Sequence, residues 1–229
     1  MSHATSVIIP TLNESASIGD LIAALKHCTP PVEVIVADGG STDDTVERAK
    51  VAGVKVIRAQ TGRGSQMHAG AVAAEGDVLW FIHADTIPPP VAAGAIASAL
   101  RSPGVVAGNF TIKFDGDYFA AVFLTWLYPK LRLLGLVYGD SAIFVRRDVY
   151  ERVGGFRPFP LFEDLDLIGR LKSEGQILTL PVTVITSSRR FENRSFVITL
   201  IRWILLQLLY WVGVSPSTLG RMYHPVRKQ

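Results

Sequence analysis

The residues whose types and spacing most directly suggest chemistry are His83, Ala84 and Asp85, which follow the unbroken apolar run from Val78 to Ile82. That run is too short for an ordinary helix and rich in β-branched and aromatic residues, so it reads as a strand buried on both faces. In an open α/β sheet, ligands bind in the crevice beyond the carboxyl ends of the parallel strands. An imidazole and a carboxylate two residues apart at such an end form a metal-ligand pair, placed where a bound nucleotide needs its charge neutralised. The same triplet also fits a plain strand end with a solvated aspartate, since three-residue motifs recur by accident. Two more clusters, Asn13-Glu14 and Asp38, stand after apolar runs, and Glu163-Asp164 stands in the first turn of a candidate helix.

Those clusters need a frame that brings them together. Ser6 to Ile9 reads as a first strand, ended by Pro10, which lacks the N–H a central strand requires. Ile18, Leu21, Ile22 and Leu25 follow the i, i+3, i+4, i+7 pattern of a helix laid over the sheet. Glu33 to Ala37 is a second strand, after which Ser41 is expected to cap a helix with acidic residues in its first turn. A third strand, Val54 to Arg58, leads to Thr61 to Gln66, which opens a helix of small residues through Ala74. Strand and helix in alternation, with polar loops at one end, argue a right-handed βαβ series and a parallel sheet, so the clusters after strands converge on one edge.

The second half is less regular. It offers a helix from Ala92 to Arg101, a half-buried strand from Phe110 to Phe114, and an apolar, aromatic stretch from Tyr118 to Val137 broken by Pro129. A strand led by a Gly-Asp pair, Gly139 to Arg147, and a turn at Gly154 to Phe156 come next. Phe162 to Leu167 opens a helix, and Leu178 to Ile185 is a last strand.

At 229 residues, 48% hydrophobic and 19% charged, the chain suits one globular domain with a sizeable core. A formal net charge of +3, with basic residues scattered except toward the C-terminus, argues against a nucleic-acid partner. The single Cys28 excludes an internal disulfide framework and fits a reducing compartment. Met1 to Thr5 is polar and Val7 to Ile9 is too short for a signal-peptide core, so a cytoplasmic place is expected, with peripheral contact at the membrane face as its variant.

Taken in order, Val7 to Glu14, Val34 to Thr45, the aspartate triplet after a strand, and Phe162-Glu163-Asp164 resemble the family 2 glycosyltransferases of the GT-A fold. The resemblance covers roughly residues 5 to 190. Within that family the chain looks most like a small bacterial group carrying Gly-Arg-Gly-x-Gln-Met, here Gly62 to Met67, some members of which are labelled arsenosugar-related. The resemblance implies a Rossmann-like, mostly parallel central sheet flanked by helices. It further implies that Pro10, Thr11, Asn13 and Glu14 border the base and ribose of a nucleotide-sugar donor, and that Asp38 accepts from a base N–H or ribose hydroxyls. Arg63 would face the base or diphosphate, with Gly62 and Gly64 admitting close backbone approach. Asp85 would bind Mn²⁺ or Mg²⁺ bridging the phosphates. Here the sequence departs from the family's Asp-x-Asp, because His83 replaces the first acid; with Ala84 it would contact the donor, ligate the metal or fill space. Asp164 is the candidate general base for an acceptor hydroxyl, Glu163 its orienting neighbour, and Asp140 and Ser141 line the acceptor pocket. The reaction implied is a single displacement with inversion, from a UDP-sugar by family habit, onto a lipid or small-molecule hydroxyl.

Phe196 to Val214 forms a second unit, residues 191–229 beyond a catalytic domain of 1–190. It is apolar and long enough to approach the ~30 Å hydrocarbon core. It carries Arg202 and Gln207, however, and Thr199, Arg202, Gln207 and Tyr210 share one side of a helical wheel. A helix lying in the membrane interface, or packed on the domain or on a second copy in a homodimer, is expected instead of a spanning one. Arg221, His224, Arg227 and Lys228 suit an anionic lipid surface.

Two other classes compete with sugar transfer. A sugar nucleotidylyltransferase needs a Gly-rich basic loop after the first strand, where this chain has Pro10 to Glu14. A nucleotide-sugar-binding protein without transfer activity fits the altered His83. The transfer reading requires Asp38, Asp85 and Asp164 to line a common cavity at one rim of the sheet.

Overall fold

Alternation of apolar runs with polar loops in the first half builds the parallel part of one sheet. The computed structural model describes residues 4–133, 135–188 and 196–222. The strands are β1 (Thr5–Thr11), β2 (Glu33–Asp38), β3 (Lys55–Arg58), β4 (Val78–Phe81), β5 (Thr86–Ile87), β6 (Val105–Phe114), β7 (Phe144–Arg146) and β8 (Gln176–Thr186). They form a single eight-stranded sheet in the order β3-β2-β1-β4-β7-β6-β8-β5. β3, β2, β1 and β4 run parallel, so their carboxyl ends share one edge. β7 is antiparallel to both β4 and β6, β6 and β8 are parallel, and β5 is antiparallel to β8.

The helices are α1 (Ile18–Lys26), α2 (Thr45–Val51), α3 (Arg63–Ala73), α4 (Ala92–Ala99), α5 (Phe119–Leu133), α6 (Arg147–Arg152), α7 (Glu163–Leu171), α8 (Phe196–Trp211) and α9 (Pro216–Met222). Side chains of β4 alternate between two cores, as the two-residue period of a strand dictates. Val78 and Trp80 join α1, α4 and α5 through Leu21, Ile96 and Leu124, while Leu79 and Phe81 join α3, α6 and α7 through Met67, Val149 and Leu167. The sheet is therefore a middle layer, and a site at its edge is held by packing on both sides.

Four local expectations change. β1 does not stop before Pro10 but pairs with β2 through Pro10↔Ala37 and Thr11↔Asp38. Ile8 accepts from Ile82 on the β4 side, so Pro10, two residues on, turns its missing donor toward the side where β4 has already ended. Ser41 does not cap α2, which begins at Thr45 after Asp44; its hydroxyl serves Asp38 instead. The strand expected over Gly139 to Arg147 shrinks to β7, because Gly139–Ser141 form a 3-10 turn and Ala142 takes φ 54°. α5 runs through Pro129. Proline inside a helix costs about 3 kcal/mol, and burial of Leu124 and Tyr128 against the sheet, at about 1.5–3 kcal/mol for a large apolar side chain, offsets it.

α8 lies against the body, with Phe196 and Trp203 packed on the first core. No helix among the described residues is long and apolar enough to cross a membrane. The 190/191 boundary and His224, Arg227 and Lys228 fall outside the described residues.

Candidate active site

Two neighbourhoods share the carboxyl edge of the sheet. The first is built by the loops after β1 and β2. Asp38 ends β2, and its Oδ2 accepts from the backbone N–H groups of Gly40 and Ser41, both at 2.9 Å. Its Oδ1 accepts from the Ser41 hydroxyl at 2.5 Å and from Thr11 Oγ1 at 3.2 Å. Asn13, at φ 55°, donates its N–H to Ser41 Oγ and accepts from the Thr42 N–H at 2.8 Å, while the Glu14 N–H donates to Thr45 Oγ1. A small polar residue tolerates that left-handed backbone because its side chain bonds locally. Gln66, buried on α3, donates to the carbonyls of Thr11 and Ala37 and so fastens the ends of β1 and β2 to the first turn of α3.

The second neighbourhood is a cavity at the N-terminus of α7. Asp164 and Glu163 are both buried. Asp164 Oδ2 accepts from the Gly139 N–H at 2.6 Å and its Oδ1 from the Leu165 N–H at 2.8 Å. Burial, and after it the adjoining Glu163 charge, push the Asp164 carboxyl up to about 6, against the pull of the Gly139 N–H and of Arg63. Arg63 opens α3 and sets its guanidinium 3.6 Å from Glu163 Oε1. Phe162, just before α7, stands at φ 62° and turns the chain so that the acidic pair faces inward. The cavity is lined by the charged Arg63, Asp140, Glu163 and Asp164 together with Tyr128, Tyr138, Trp203 and Gln207.

His83, just past β4, stands beside the second neighbourhood. Its Nδ1 lies 3.0 Å from Asp140 Oδ1, and Asp140 Oδ2 accepts from the Tyr128 hydroxyl. A carboxylate on one ring nitrogen fixes the orientation of the imidazole and leaves Nε2, in the neutral ring, as the lone-pair side. Among the described residues no group of three or more His, Cys, Asp or Glu side chains could hold a metal ion. His83 and Asp85 stand two residues apart just past the end of β4, and Mg²⁺ sites commonly combine one or two protein groups with phosphate oxygens.

Several expected residues stand elsewhere than expected. Ser141 does not line the cavity: it is buried, and its hydroxyl donates to the Tyr138 carbonyl, closing the 3-10 turn. The side chain of Ala84 belongs to the first core. Gly64 admits not a ligand but a neighbour, because a Cβ there would stand 2.3 Å from the Arg157 carbonyl oxygen. The described cavity contains Asp164 but neither Asp38 nor Asp85, which stand at the end of β2 and just past β4 on the same edge of the sheet, so this cavity alone is not the common one expected.

The structure also adds residues that the sequence pattern does not single out. A Cβ on Gly139 would lie 3.3 Å from His83 Nε2 and 3.4 Å from Asp164 Oδ2, so only hydrogen fits comfortably between the carboxylate and the imidazole. Tyr138 donates to Gln207 Oε1 at 3.0 Å, and burial with the charges of Asp164 and Asp140 pushes its phenol up to about 12. Gln207 Nε2 is buried without a hydrogen-bond partner among the described residues, beside this cavity. The sequence signal for it is an amide that shares one helical face with Thr199, Arg202 and Tyr210.

Comparison with known proteins follows the same geometry. The family model described as Glycosyl transferase family 2 matches residues 6–154. The glucosyl-3-phosphoglycerate synthase of Mycolicibacterium smegmatis is 35% identical over 95 residues, 37% of this chain and 31% of that protein. An uncharacterized glycosyltransferase of Mycobacterium bovis is 36% identical over 83 residues, 36% of this chain and 37% of its own length. The matched stretch thus spans about a third of these curated relatives. The crystal structure of glucosyl-3-phosphoglycerate synthase from Mycobacterium tuberculosis with Mn²⁺, UDP-glucose and phosphoglyceric acid superposes with a TM-score of 0.67 at 24% identity, covering 93% of this chain and 81% of that one.

Proposed function

Because the chain belongs to glycosyl transferase family 2, we propose that it moves a sugar from a nucleoside-diphosphate sugar, a UDP-sugar, to the hydroxyl of an acceptor with inversion at the anomeric carbon. The observation that carries this reading is the buried Asp164 carboxylate, held by the Gly139 N–H and opening on a cavity beside Arg63. A carboxylate raised to about 6 is ionised at neutral pH yet basic enough to take a hydroxyl proton as the new bond forms. The acceptor oxygen bonds to the anomeric carbon, the bond from that carbon to the diphosphate oxygen breaks, and the proton passes to Asp164. Glu163 holds Arg63, whose charge offsets that of the departing nucleoside diphosphate.

His83 and Asp85 would hold Mn²⁺ or Mg²⁺, which when bound supplies positive charge to the diphosphate. Crystal structures of the mycobacterial synthase contain UDP with Mn²⁺ or Mg²⁺, which supports a divalent cation beside the donor. Asp38, Thr11, Asn13 and Glu14 shape the donor floor through the loop they tie together, with Pro10 beneath it. Gln207 and Tyr138 meet the acceptor, the amide supplying a donor that nothing else among the described residues uses.

The test is a panel of nucleotide sugars with the purified chain and Mn²⁺. UDP-sugars are expected to raise the melting temperature, since a ligand that binds only the folded state stabilises it, and to release UDP slowly in water. Absence of both effects would overturn the reading. Binding without any UDP release, with or without hydroxyl acceptors, would leave a binder in place of an enzyme.

A further inference from the structure

α8 is amphipathic in an inverted sense. Its polar members turn inward, Gln207 to the cavity and Tyr210 to the ring of Phe162 at 4.8 Å. Its outer face, carrying Ile201, Ile204, Leu205, Leu208 and Trp211, is about half exposed or more. α5 extends that surface, because Phe119 and Phe123 pack on Phe196 at the start of α8 while Phe119, Val122 and Trp126 remain exposed. Apart from Val51, Val72, Val91 and Ile185, every exposed large apolar side chain recorded among the described residues belongs to α5, α8, α9 or the residues flanking them. Contiguous apolar surface of this kind marks an interaction site.

Charge selects the occupant. α5, α8 and α9 contain no Asp or Glu; of their basic residues Lys130 and Arg221 are exposed, while Arg132 donates to the Phe110 carbonyl and Arg202 to the Met222 carbonyl, and the sequence from residue 193 to 229 has no acidic residue at all. Lys130 sets its ammonium 3.5 Å over the ring of the exposed Trp126, pairing an interfacial aromatic with a cation. An apolar helical face with Trp and Phe, bordered by Lys and Arg and free of acids, is the composition of a helix that lies in the headgroup layer of an anionic bilayer. We propose that the joint outer face of α5 and α8 is a docking surface for an anionic membrane. α5 and α8 also wall the cavity through Tyr128, Trp203 and Gln207, so docking brings the acceptor side next to the headgroups. That last consequence rests on the transfer reading; the surface itself does not.

Co-sedimentation of the full chain with liposomes tests the surface without any catalytic readout. Vesicles of phosphatidylcholine with phosphatidylglycerol are expected to bind the chain at least about tenfold more tightly than phosphatidylcholine alone, and 0.5 M salt to weaken that binding. The double variant Ile201→Glu, Leu208→Glu should lower binding by more than about tenfold, since each change removes an apolar side chain from the contact. Unchanged melting temperature and UDP binding would show that this variant is folded, and Ile204→Ser is the milder substitute if it is not. Failure to sediment with either vesicle, or equal binding to both, overturns the proposal. So does a dimer in detergent-free light scattering that the double variant dissociates, because the face would then belong to a second copy.

Discussion

The loops after β1 and β2 and the cavity beneath α7 lie on one edge of one sheet, yet they treat their carboxylates in opposite ways. Asp38 spends both oxygens on its own loop, accepting from Gly40, Ser41 and Thr11. Asp164, equally buried, receives only two backbone donors and has a like charge beside it at Glu163, so its proton is held more tightly than a carboxyl usually holds one. The difference separates structure from reactivity. A carboxylate whose hydrogen bonds are complete shapes a surface; one kept partly unsatisfied in a cavity can take a proton.

The most severe way to break that contrast is Asp164→Asn. Loss of a general base costs about 10²- to 10⁴-fold in turnover, whereas UDP binding by calorimetry should stay within a few fold of the parent; near-normal turnover would remove Asp164 from the reaction. Gly139→Ala comes next. Its methyl must displace His83 or Asp164 by a few tenths of an ångström, and a loss of about tenfold in kcat is expected, since small misplacements of reacting groups are expensive. In the first region, Asp38→Ala should cost about 2 kcal/mol of stability, read as a lower denaturation midpoint, because two part-buried N–H groups lose charge-assisted acceptors.

The pH dependence sharpens the comparison further. Asp164 must be ionised to act, so kcat/KM should rise with pH through about 6 and then level. Glu163 raises that value and Arg63 lowers it, so Glu163→Gln should move the inflexion to lower pH and Arg63→Gln to higher pH. An inflexion that neither variant moves would assign it to another group. The smallest effect belongs to Gln207→Leu: a rise of a few fold in acceptor KM with kcat little changed, as expected when one hydrogen bond made equally in ground and transition states is lost.

Much of the carboxyl edge of the sheet was legible in the chain because its placement is local. Apolar runs followed at once by Asp38 or by His83 and Asp85 place those groups at strand ends, and parallel pairing of β2, β1 and β4 then aligns the ends on one edge. Ser41 shows where local reading falls short. A serine before an acidic turn looks like a helix cap, but its oxygen accepts from the Asn13 N–H, its hydroxyl donates to the buried Asp38 carboxylate, and α2 begins only at Thr45. Ser141 shows the same, drawn into its own 3-10 turn instead of the cavity.

The order of strand, polar cluster and helix was enough to determine the α/β class, the family and the identity of the acidic pair at 163–164, because periodicity and motif order depend on neighbours along the chain. Only the tertiary structure decided that Gly139 separates Asp164 from His83, that Gln207 looks inward with an unpaired amide, and that the apolar side of α8 looks out. Those facts join residues 25 to 69 positions apart, such as Gly139 with Asp164 and Tyr138 with Gln207. No pattern along the chain encodes them, since which face of a helix is buried depends on what the rest of the molecule brings against it.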